Sequence, residues 1–202
     1  LNRLVTRDVR KLKVGRVSYV VWCNDHGHII DDGTIFRLGP ADFRVCTAER
    51  QLDWFQDSAI GFDVAIDEIT ADVAALAVQG PKAVDVVASL FGAWIRDLRY
   101  FWFREATLDG IPLVVARSGW SKQGGFELYL MDVSQGTRLW NIVQEAGKPW
   151  DICPGTPNFC ERVESGLLSY GGDTDDRTSP FEVRLGKYVD VDVPDDVIGI
   201  QA

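Results

Sequence analysis

The chain has 202 residues, of which 46% are hydrophobic and 25% are charged, a composition typical of a soluble globular protein and unlike that of a disordered one. The formal net charge of −9, with lysines and arginines that form no run, argues against a nucleic-acid-binding surface. No stretch approaches the ~20 consecutive apolar residues of a membrane span, so we expect neither nucleic acid nor a membrane as a partner.

In the first third of the chain, β-branched and aromatic residues predict strands, and one amphipathic stretch predicts a helix. The apolar residues of segment 62–69 alternate with aspartates, which is typical of a half-buried strand. The predicted elements are strands at 17–23, 29–38 and 43–47, a helix at 49–59 and a strand at 62–69.

The rest of the chain continues the alternation of strands and helices. The pair Asp109-Gly110 predicts a tight hairpin turn, and Gly171-Gly172 is expected to end the last helix. The predicted elements are strands at 73–78, 100–108, 111–117 and 126–131, and helices after Pro81, at 134–146 and at 158–170. This order indicates an α+β fold with mixed or antiparallel sheets that helices cover on one side.

The four cysteines, at positions 23, 46, 153 and 160, form no CxxC pair, and the chain has only two histidines. We therefore expect no metal site. We interpret the cysteines as reduced thiols of a cytoplasmic protein, because a secretory context is not indicated; a disulfide between Cys153 and Cys160 is the alternative.

Segment 117–130, RSGWSKQGGFELYL, is the most informative about chemistry. Its glycines predict a turn that leads into a short strand, on which Glu127 and Tyr129 share one face and their apolar neighbours take the other. A carboxylate beside a phenol, after a bend that carries Trp120, suits a polar heterocycle with N–H groups. The same pair would also suit a structural hydrogen bond, and Trp120 and Tyr129 could be packing residues.

Two further positions are unusual for their surroundings. Asp31 and Asp32 end an apolar run, so that on a strand one of them faces the core or a cleft while the other faces solvent; they could also be acidic decoration of a hairpin. Arg162 falls within the apolar stripe of the last predicted helix, where its charge needs an anion. That anion could be an internal carboxylate or the carboxylate of a ligand.

Five segments taken together resemble the aminomethyltransferase (glycine-cleavage T-protein) superfamily of tetrahydrofolate-dependent one-carbon transferases. Within it, the segments RSGWSKQGG and ERVESGLLSYG are most similar to the branch that contains dimethylsulfoniopropionate demethylase. The segments are LVTRDVRKL (4–12), CNDHGHIIDD (23–32), LAVQGP (76–81), RSGWSKQGGFELYL (117–130) and ERVESGLLSYGGD (161–173).

The resemblance implies ferredoxin-like halves packed together. Residues 1–75 would form a first folate-binding subdomain that is incomplete at its N-terminus, and residues 76–189 a second. Residues 190–202 would begin a linker to a barrel-like domain. We therefore expect the chain to be a central fragment of a longer protein.

The resemblance also assigns roles to residues. Glu127 would anchor the pterin through two parallel N–H bonds, with Tyr129 beside it. Trp120 would cover the site or stack on the aminobenzoyl group, and Phe101 would lie against the folate. Arg162 would lie near a carboxylate of substrate or folate. Of the two adjacent aspartates, Asp31 would handle protons, with Asp32 as the second choice.

The implied function is a tetrahydrofolate-dependent methyl or one-carbon transferase that demethylates dimethylsulfoniopropionate or a related donor to give 5-methyltetrahydrofolate. Trp22, Trp102 or Trp120 could then hold the sulfonium cation. Two departures leave room for an amine donor, such as a methylated glycine, or for an uncharacterised donor: demethylases have an aromatic residue near the position of Ser18, and they do not need the double carboxylate kept here at 31–32. A folate-binding module without catalysis is the other alternative. We expect a small-molecule methyl donor as partner and leave open a homodimer.

Overall fold

A computed structural model of the protein describes residues 1–156, 159–192 and 196–202. The chain divides into two compact units. The first unit combines Leu1–Asp67 with Leu168–Ala202, and the second is Glu68–Leu167. This division differs from boundaries at 75 and 189, and the assignment of those stretches to folate-binding subdomains stays a prediction.

The first unit is built on a three-stranded antiparallel sheet in the order β1-β2-β3. The three strands predicted in this region are confirmed to within one residue, and the predicted helix is confirmed over a shorter range. The elements are β1 (Val17–Cys23), β2 (Ile29–Arg37), β3 (Phe43–Thr47) and α1 (Leu52–Ser58).

The register of the first hairpin separates the two adjacent aspartates. Trp22 on β1 lies opposite Asp31 on β2, and Val21 lies opposite Asp32. Because successive side chains of a strand point to opposite faces, Asp31 shares the face of Trp22, whereas Asp32 shares the other face. Trp22 belongs to the main apolar cluster of this unit, in which Leu4, Val5, Val9, Val20 and Ile35 are also buried.

The strand predicted at 62–69 is wrong. All residues of this segment are described in the structure, and none of them belongs to a strand. Phe62 and Val64 are each 57% exposed. The alternation of apolar and acidic residues is present, but a strand also needs a neighbouring strand to accept its backbone hydrogen bonds.

The second unit is built on a four-stranded antiparallel sheet in the order β4-β7-β6-β5. Asp109 and Gly110 both have positive φ, 49° and 79°, as the predicted tight turn between β5 and β6 requires. The elements are β4 (Ala74–Gln79), α2 (Ala83–Phe91), α3 (Trp94–Asp97), β5 (Phe103–Leu108), β6 (Ile111–Ala116), β7 (Gly125–Leu130), α4 (Gly136–Gly147) and α5 (Phe159–Glu164).

One face of the second sheet carries the core of the unit. Phe126, Leu128 and Leu130 of β7 are almost fully buried in an apolar cluster that also contains residues of α2 and α4. Alternation along β7 therefore leaves Glu127 and Tyr129 on the opposite face, as predicted. Two antiparallel sheets with helices confirm the α+β fold class. No helix among the described residues has both the length and the apolar character needed to cross a membrane.

The helix predicted at 158–170 is much shorter, and its predicted start at Asn158 lies outside the described residues. Helix α5 ends at Glu164, and Gly166 follows with a φ of 65°. The N–H groups of Gly166 and Leu167 donate to the carbonyl oxygens of Val163 and Arg162, the pattern of a Schellman cap. Gly166 therefore ends this helix, and the prediction that Gly171-Gly172 caps it is wrong.

Candidate functional site

Glu127 lies on β7, the strand that follows the glycine-rich loop 117–124, which we call the Trp120 loop. Its carboxylate oxygen Oε2 accepts two hydrogen bonds, one from Ser118 Oγ at 2.5 Å and one from the Tyr129 hydroxyl at 3.1 Å. Both donors are buried: Ser118 is 3% exposed and Tyr129 is 8% exposed. Within the described part of the chain, Oε1 accepts no hydrogen bond, so the carboxylate is oriented through one oxygen only.

Trp120 lies two residues after Ser118 in this loop and is 37% exposed. The Arg162 guanidinium lies 5.6 Å from the centroid of the Trp120 ring and 5.6 Å from that of Phe159. Its Nη1 donates to the carbonyl oxygen of Leu167 at 3.1 Å. The guanidinium is thus held between two rings by cation–π contacts and by a backbone carbonyl.

The prediction that Arg162 lies within a buried apolar stripe is wrong. Phe159 is 70% exposed and Val163 is 60% exposed, so this face of α5 does not enter the core. A second contact ties α5 to the Trp120 loop: Gln123 Nε2 donates to Glu161 Oε2 at 2.6 Å. Gln123 and Glu161 border a shallow polar depression of about 220 Å³.

Phe101 does not lie on a strand, because β5 begins only at Phe103. Phe101 lies in a turn, and its φ of 59° places it in the left-handed region. Its backbone N–H donates to the carbonyl oxygen of Arg117. The ring of Tyr100 stacks on the Phe101 ring with centroids 4.4 Å apart. The predicted contact of Phe101 with a ligand stays a prediction.

In the first unit, Asp31 is fully buried. Its Oδ1 accepts the N–H of Asp32 at 2.8 Å, and its Oδ2 accepts the N–H of Glu49 at 2.9 Å, just after β3 ends. Burial raises the pKa of Asp31 to about 6, although hydrogen bonds from backbone N–H groups oppose the change. Asp31 therefore fixes the exit of the chain from β3 through Oδ2, while its Oδ1 is held by the next residue of β2.

Asp32, on the other face of β2, is only partly buried. Burial raises its pKa, and a hydrogen bond from the Tyr19 hydroxyl partly offsets this effect. The Tyr19 ring packs edge-to-face on Tyr188, with centroids 4.7 Å apart. The Arg7 guanidinium lies over the Tyr188 ring, 5.6 Å from its centroid, and its Nη1 donates to Ser18 Oγ at 3.2 Å.

The structure thus brings together Glu127 with Tyr129 and, separately, Trp120 with Arg162, whereas Asp31 and Asp32 diverge. Sequence reasoning missed Ser118, although it lies in the quoted segment RSGW, because no spacing rule links its hydroxyl to a residue nine positions later. It also missed the role of the Tyr19 hydroxyl.

Comparison with known proteins identifies the family. The model of the GCVT N-terminal domain matches residues 1–193. The chain is 41% identical to dimethylsulfoniopropionate demethylase from Ruegeria pomeroyi over 98% of its own length and 55% of the relative. It is 30% identical to the aminomethyltransferase of Thermotoga maritima over 92% of its own length and 52% of that relative.

Among solved structures, the glycine cleavage system aminomethyltransferase T from Bartonella henselae matches all of this chain and 55% of its own, with a TM-score of 0.80 and 23% identity. At this identity the likeness concerns the fold. The chain spans about half the length of the curated relatives it matches. With a family model matched along nearly its whole length, the chain belongs to the GCVT N-terminal domain family.

Proposed function

We propose that this chain forms the folate-binding part of a tetrahydrofolate-dependent methyl or one-carbon transferase. The observation that carries the proposal is the Glu127 carboxylate, which two buried hydroxyls orient through a single oxygen. Family membership supports it, because relatives in this family bear the names of a demethylase and of aminomethyltransferases.

The residues present fit a pterin. A pterin edge offers an amino group and a ring N–H side by side, which a carboxylate accepts through two roughly parallel hydrogen bonds. Glu127 keeps Oε1 for these donors, whereas Oε2 already accepts the hydroxyls of Ser118 and Tyr129 and would be shared with the second donor. Trp120 offers a partly exposed ring for stacking, and Arg162 offers a charge for a carboxylate. When bound, tetrahydrofolate would supply the nitrogen that accepts the one-carbon group.

For proton transfer we propose Asp32 ahead of Asp31, which reverses the order expected from the sequence. Asp31 is fully buried, and both of its oxygens already accept backbone N–H groups. Asp32 is partly exposed and is paired with the Tyr19 hydroxyl, and its raised pKa suits a group that takes up and releases a proton.

The donor we propose is dimethylsulfoniopropionate or a related methylated compound. The higher identity to the demethylase, 41% against 30% for the aminomethyltransferase, supports this choice. In such a transfer the sulfur–methyl bond breaks and its electron pair stays on sulfur, which leaves a neutral thioether. The proton displaced from the accepting nitrogen passes to a base, for which we propose Asp32.

The aromatic residue that would hold a sulfonium cation is then Trp120 or Trp102. Trp22 is fully buried, with its ring 5.6 Å from that of Phe55, and cannot meet a ligand there. A methylamine-type donor is the second candidate. Two residues favour it: Asp32, as a proton acceptor, and Ser18, which lies where demethylases have an aromatic residue. The Ser18 hydroxyl accepts a hydrogen bond from Arg7.

The first experiment is calorimetric titration of the chain with tetrahydrofolate. Glu127→Gln keeps the size of the side chain but removes the charge, and we expect it to weaken binding about a hundredfold, because hydrogen bonds to a charged group are strong. The matched control is Glu105→Gln, an exposed glutamate on β5 of the same sheet. Equal affinity of both variants for tetrahydrofolate would contradict the proposal.

The donor is tested separately. Dimethylsulfoniopropionate and methylated glycines are each incubated with tetrahydrofolate, and 5-methyltetrahydrofolate is measured by chromatography. Product from the sulfonium compound alone supports the demethylase assignment. Product from amines alone favours the second candidate, and folate binding without product from any donor favours a binding module.

A further inference from the structure

Gln79 is the last residue of β4, in the segment LAVQGP, and its side chain reaches the Trp120 loop. Its amide nitrogen Nε2 donates to the carbonyl oxygens of Ser118 at 3.0 Å and of Phe126 at 3.1 Å. Its oxygen Oε1 accepts the Ser121 hydroxyl at 2.7 Å. One amide group therefore binds Ser118 and Ser121 of the loop and Phe126 of β7.

Two glycines make room for this amide, Gly119 in the loop and Gly125 at the start of β7. A Cβ on Gly119 would lie 2.2 Å from Gln79 Oε1, and a Cβ on Gly125 would lie 2.8 Å from Gln79 Cδ. Both glycines also have φ values that side-chain-bearing residues rarely adopt, 151° and 149°. The glycines of the segment RSGWSKQGG thus serve close packing around Gln79 as well as the turn itself.

The Gln79 amide is also connected to the Glu127 carboxylate through residues that it binds. Ser118, whose carbonyl oxygen Gln79 holds, is the residue whose hydroxyl donates to Glu127. Phe126, whose carbonyl oxygen Gln79 also holds, directly precedes Glu127. Movement of either backbone group would change the direction in which the Glu127 carboxylate points.

We infer that Gln79 is a positioning residue for the proposed folate site: its side-chain amide fixes the Trp120 loop, so that Ser118 orients Glu127. The inference rests on the proposed function, and it assigns Gln79 no direct contact with folate. Its effect on affinity should pass through the loop and through Glu127.

The test uses Gln79→Met, which keeps the length of the side chain but none of its three hydrogen bonds. Hydrogen–deuterium exchange of peptides covering 118–126 is measured without ligand, and tetrahydrofolate affinity is measured by calorimetry. We expect exchange in the loop to rise about tenfold and affinity to fall about tenfold, while peptides from the first unit are unchanged. Gln56→Met, an exposed glutamine of the first unit, is the control.

A double-mutant cycle separates positioning from general destabilisation. In the Glu127→Gln background, Gln79→Met should lower affinity by less than about twofold, because its effect acts through Glu127. Additive losses, or unchanged loop exchange in Gln79→Met, would overturn the inference. If Gln79→Met does not fold, Ser121→Ala removes one of the three hydrogen bonds and should show the same pattern at about threefold.

The outcomes also distinguish this inference from the proposed function. If the unaltered chain binds no tetrahydrofolate, the proposed function fails, and with it the link to folate, whereas the exchange rates still decide whether Gln79 fixes the loop. If the chain binds tetrahydrofolate and Gln79→Met binds it equally well, the inference fails and the proposed function stands.

Discussion

The two units each carry a carboxylate on an internal strand, and the two carboxylates are held in different ways. Asp31 is fully buried and gives both oxygens to backbone N–H groups, those of Asp32 and Glu49. Glu127 gives one oxygen to two side-chain hydroxyls. In Asp31 both oxygens accept backbone N–H groups, so this carboxylate serves the fold. In Glu127 hydroxyl groups orient one oxygen, and the other oxygen is left to bind a ligand.

A glycine lies two residues from each carboxylate on the same strand. A Cβ on Gly33, near Asp31, would lie 2.0 Å from the carbonyl oxygen of Cys46. A Cβ on Gly125, near Glu127, would lie 2.3 Å from the carbonyl oxygen of Val78. In both units a neighbouring backbone approaches where a side chain is missing, and this close approach holds the carboxylate's strand in register.

The largest effect is expected from filling that space. Gly33→Ala and Gly125→Ala should each lower the free energy of unfolding by about 3 kcal/mol, since the added methyl group meets a carbonyl oxygen that cannot move freely. Urea unfolding measures the change. Gly136→Ala is the control, because a Cβ there meets no described atom within 4 Å and α4 begins at this residue. A loss below 1 kcal/mol at Gly33 and Gly125 would contradict the packing argument.

The second effect concerns Asp31 and pH. Because burial raises the pKa of Asp31 to about 6, the folded state holds its proton to higher pH than the unfolded state does. The free energy of unfolding should therefore fall as pH rises from about 4 to about 6, by at most about 3 kcal/mol from this group. Asp31→Asn should flatten this slope in urea unfolding at several pH values, while exposed Asp63→Asn should not. An equal slope in both variants would show that Asp31 ionises normally.

The third effect concerns the hydroxyls that orient Glu127. Tyr129→Phe removes one of the two donors to Oε2 and should weaken tetrahydrofolate binding about three- to tenfold, the value of one hydrogen bond. Calorimetry measures the affinity, and the control is Tyr100→Phe, which changes a tyrosine that is 61% exposed. Unchanged affinity in Tyr129→Phe would mean that Ser118 alone orients the carboxylate.

The smallest effect is expected at Arg162. Arg162→Lys keeps the charge but loses the planar guanidinium between two aromatic rings, so the free energy of unfolding should fall by about 0.5–1 kcal/mol. The same exchange at Arg138, whose exposed ion pair with Asp109 a lysine can also make, should leave stability unchanged in urea unfolding. Equal stability of the two variants would show that the rings contribute nothing beyond the charge.

Local patterns predicted the strands well and the segment boundaries less well. The hairpin turn at Asp109-Gly110 and the two faces of β7 follow from residue types and from alternation, which are local properties. Segment 62–69 has the same alternation, yet its residues pair with no strand in the described chain, because pairing depends on a partner that alternation does not specify. The sequence pattern predicts a last helix that continues through Gly166. In the structure Gly166 adopts positive φ, and a glycine in this conformation ends a helix.

The candidate site was predicted in part. Glu127, Tyr129 and Trp120 lie in one short segment, so strand alternation and the resemblance could identify them. Gln79 could not be found in this way, because its hydrogen-bond partners lie 39 to 47 positions further along the chain. Alternation predicts that only one of Asp31 and Asp32 faces the core, but it does not say which, since the position of Asp31 depends on where Glu49 presents its N–H.

The strand order of the second unit has a consequence for its folding kinetics. The β5-β6 hairpin is closed by two residues, whereas Gln79 of β4 meets Phe126 of β7 across 47 positions. Long-range pairing carries the larger loop-closure cost, so we expect β4 to join the sheet after the folding transition state. Substitutions at Gln79 should then speed unfolding and leave the folding rate nearly constant. The proposed site would be the last part of this unit to assemble and the first to be lost.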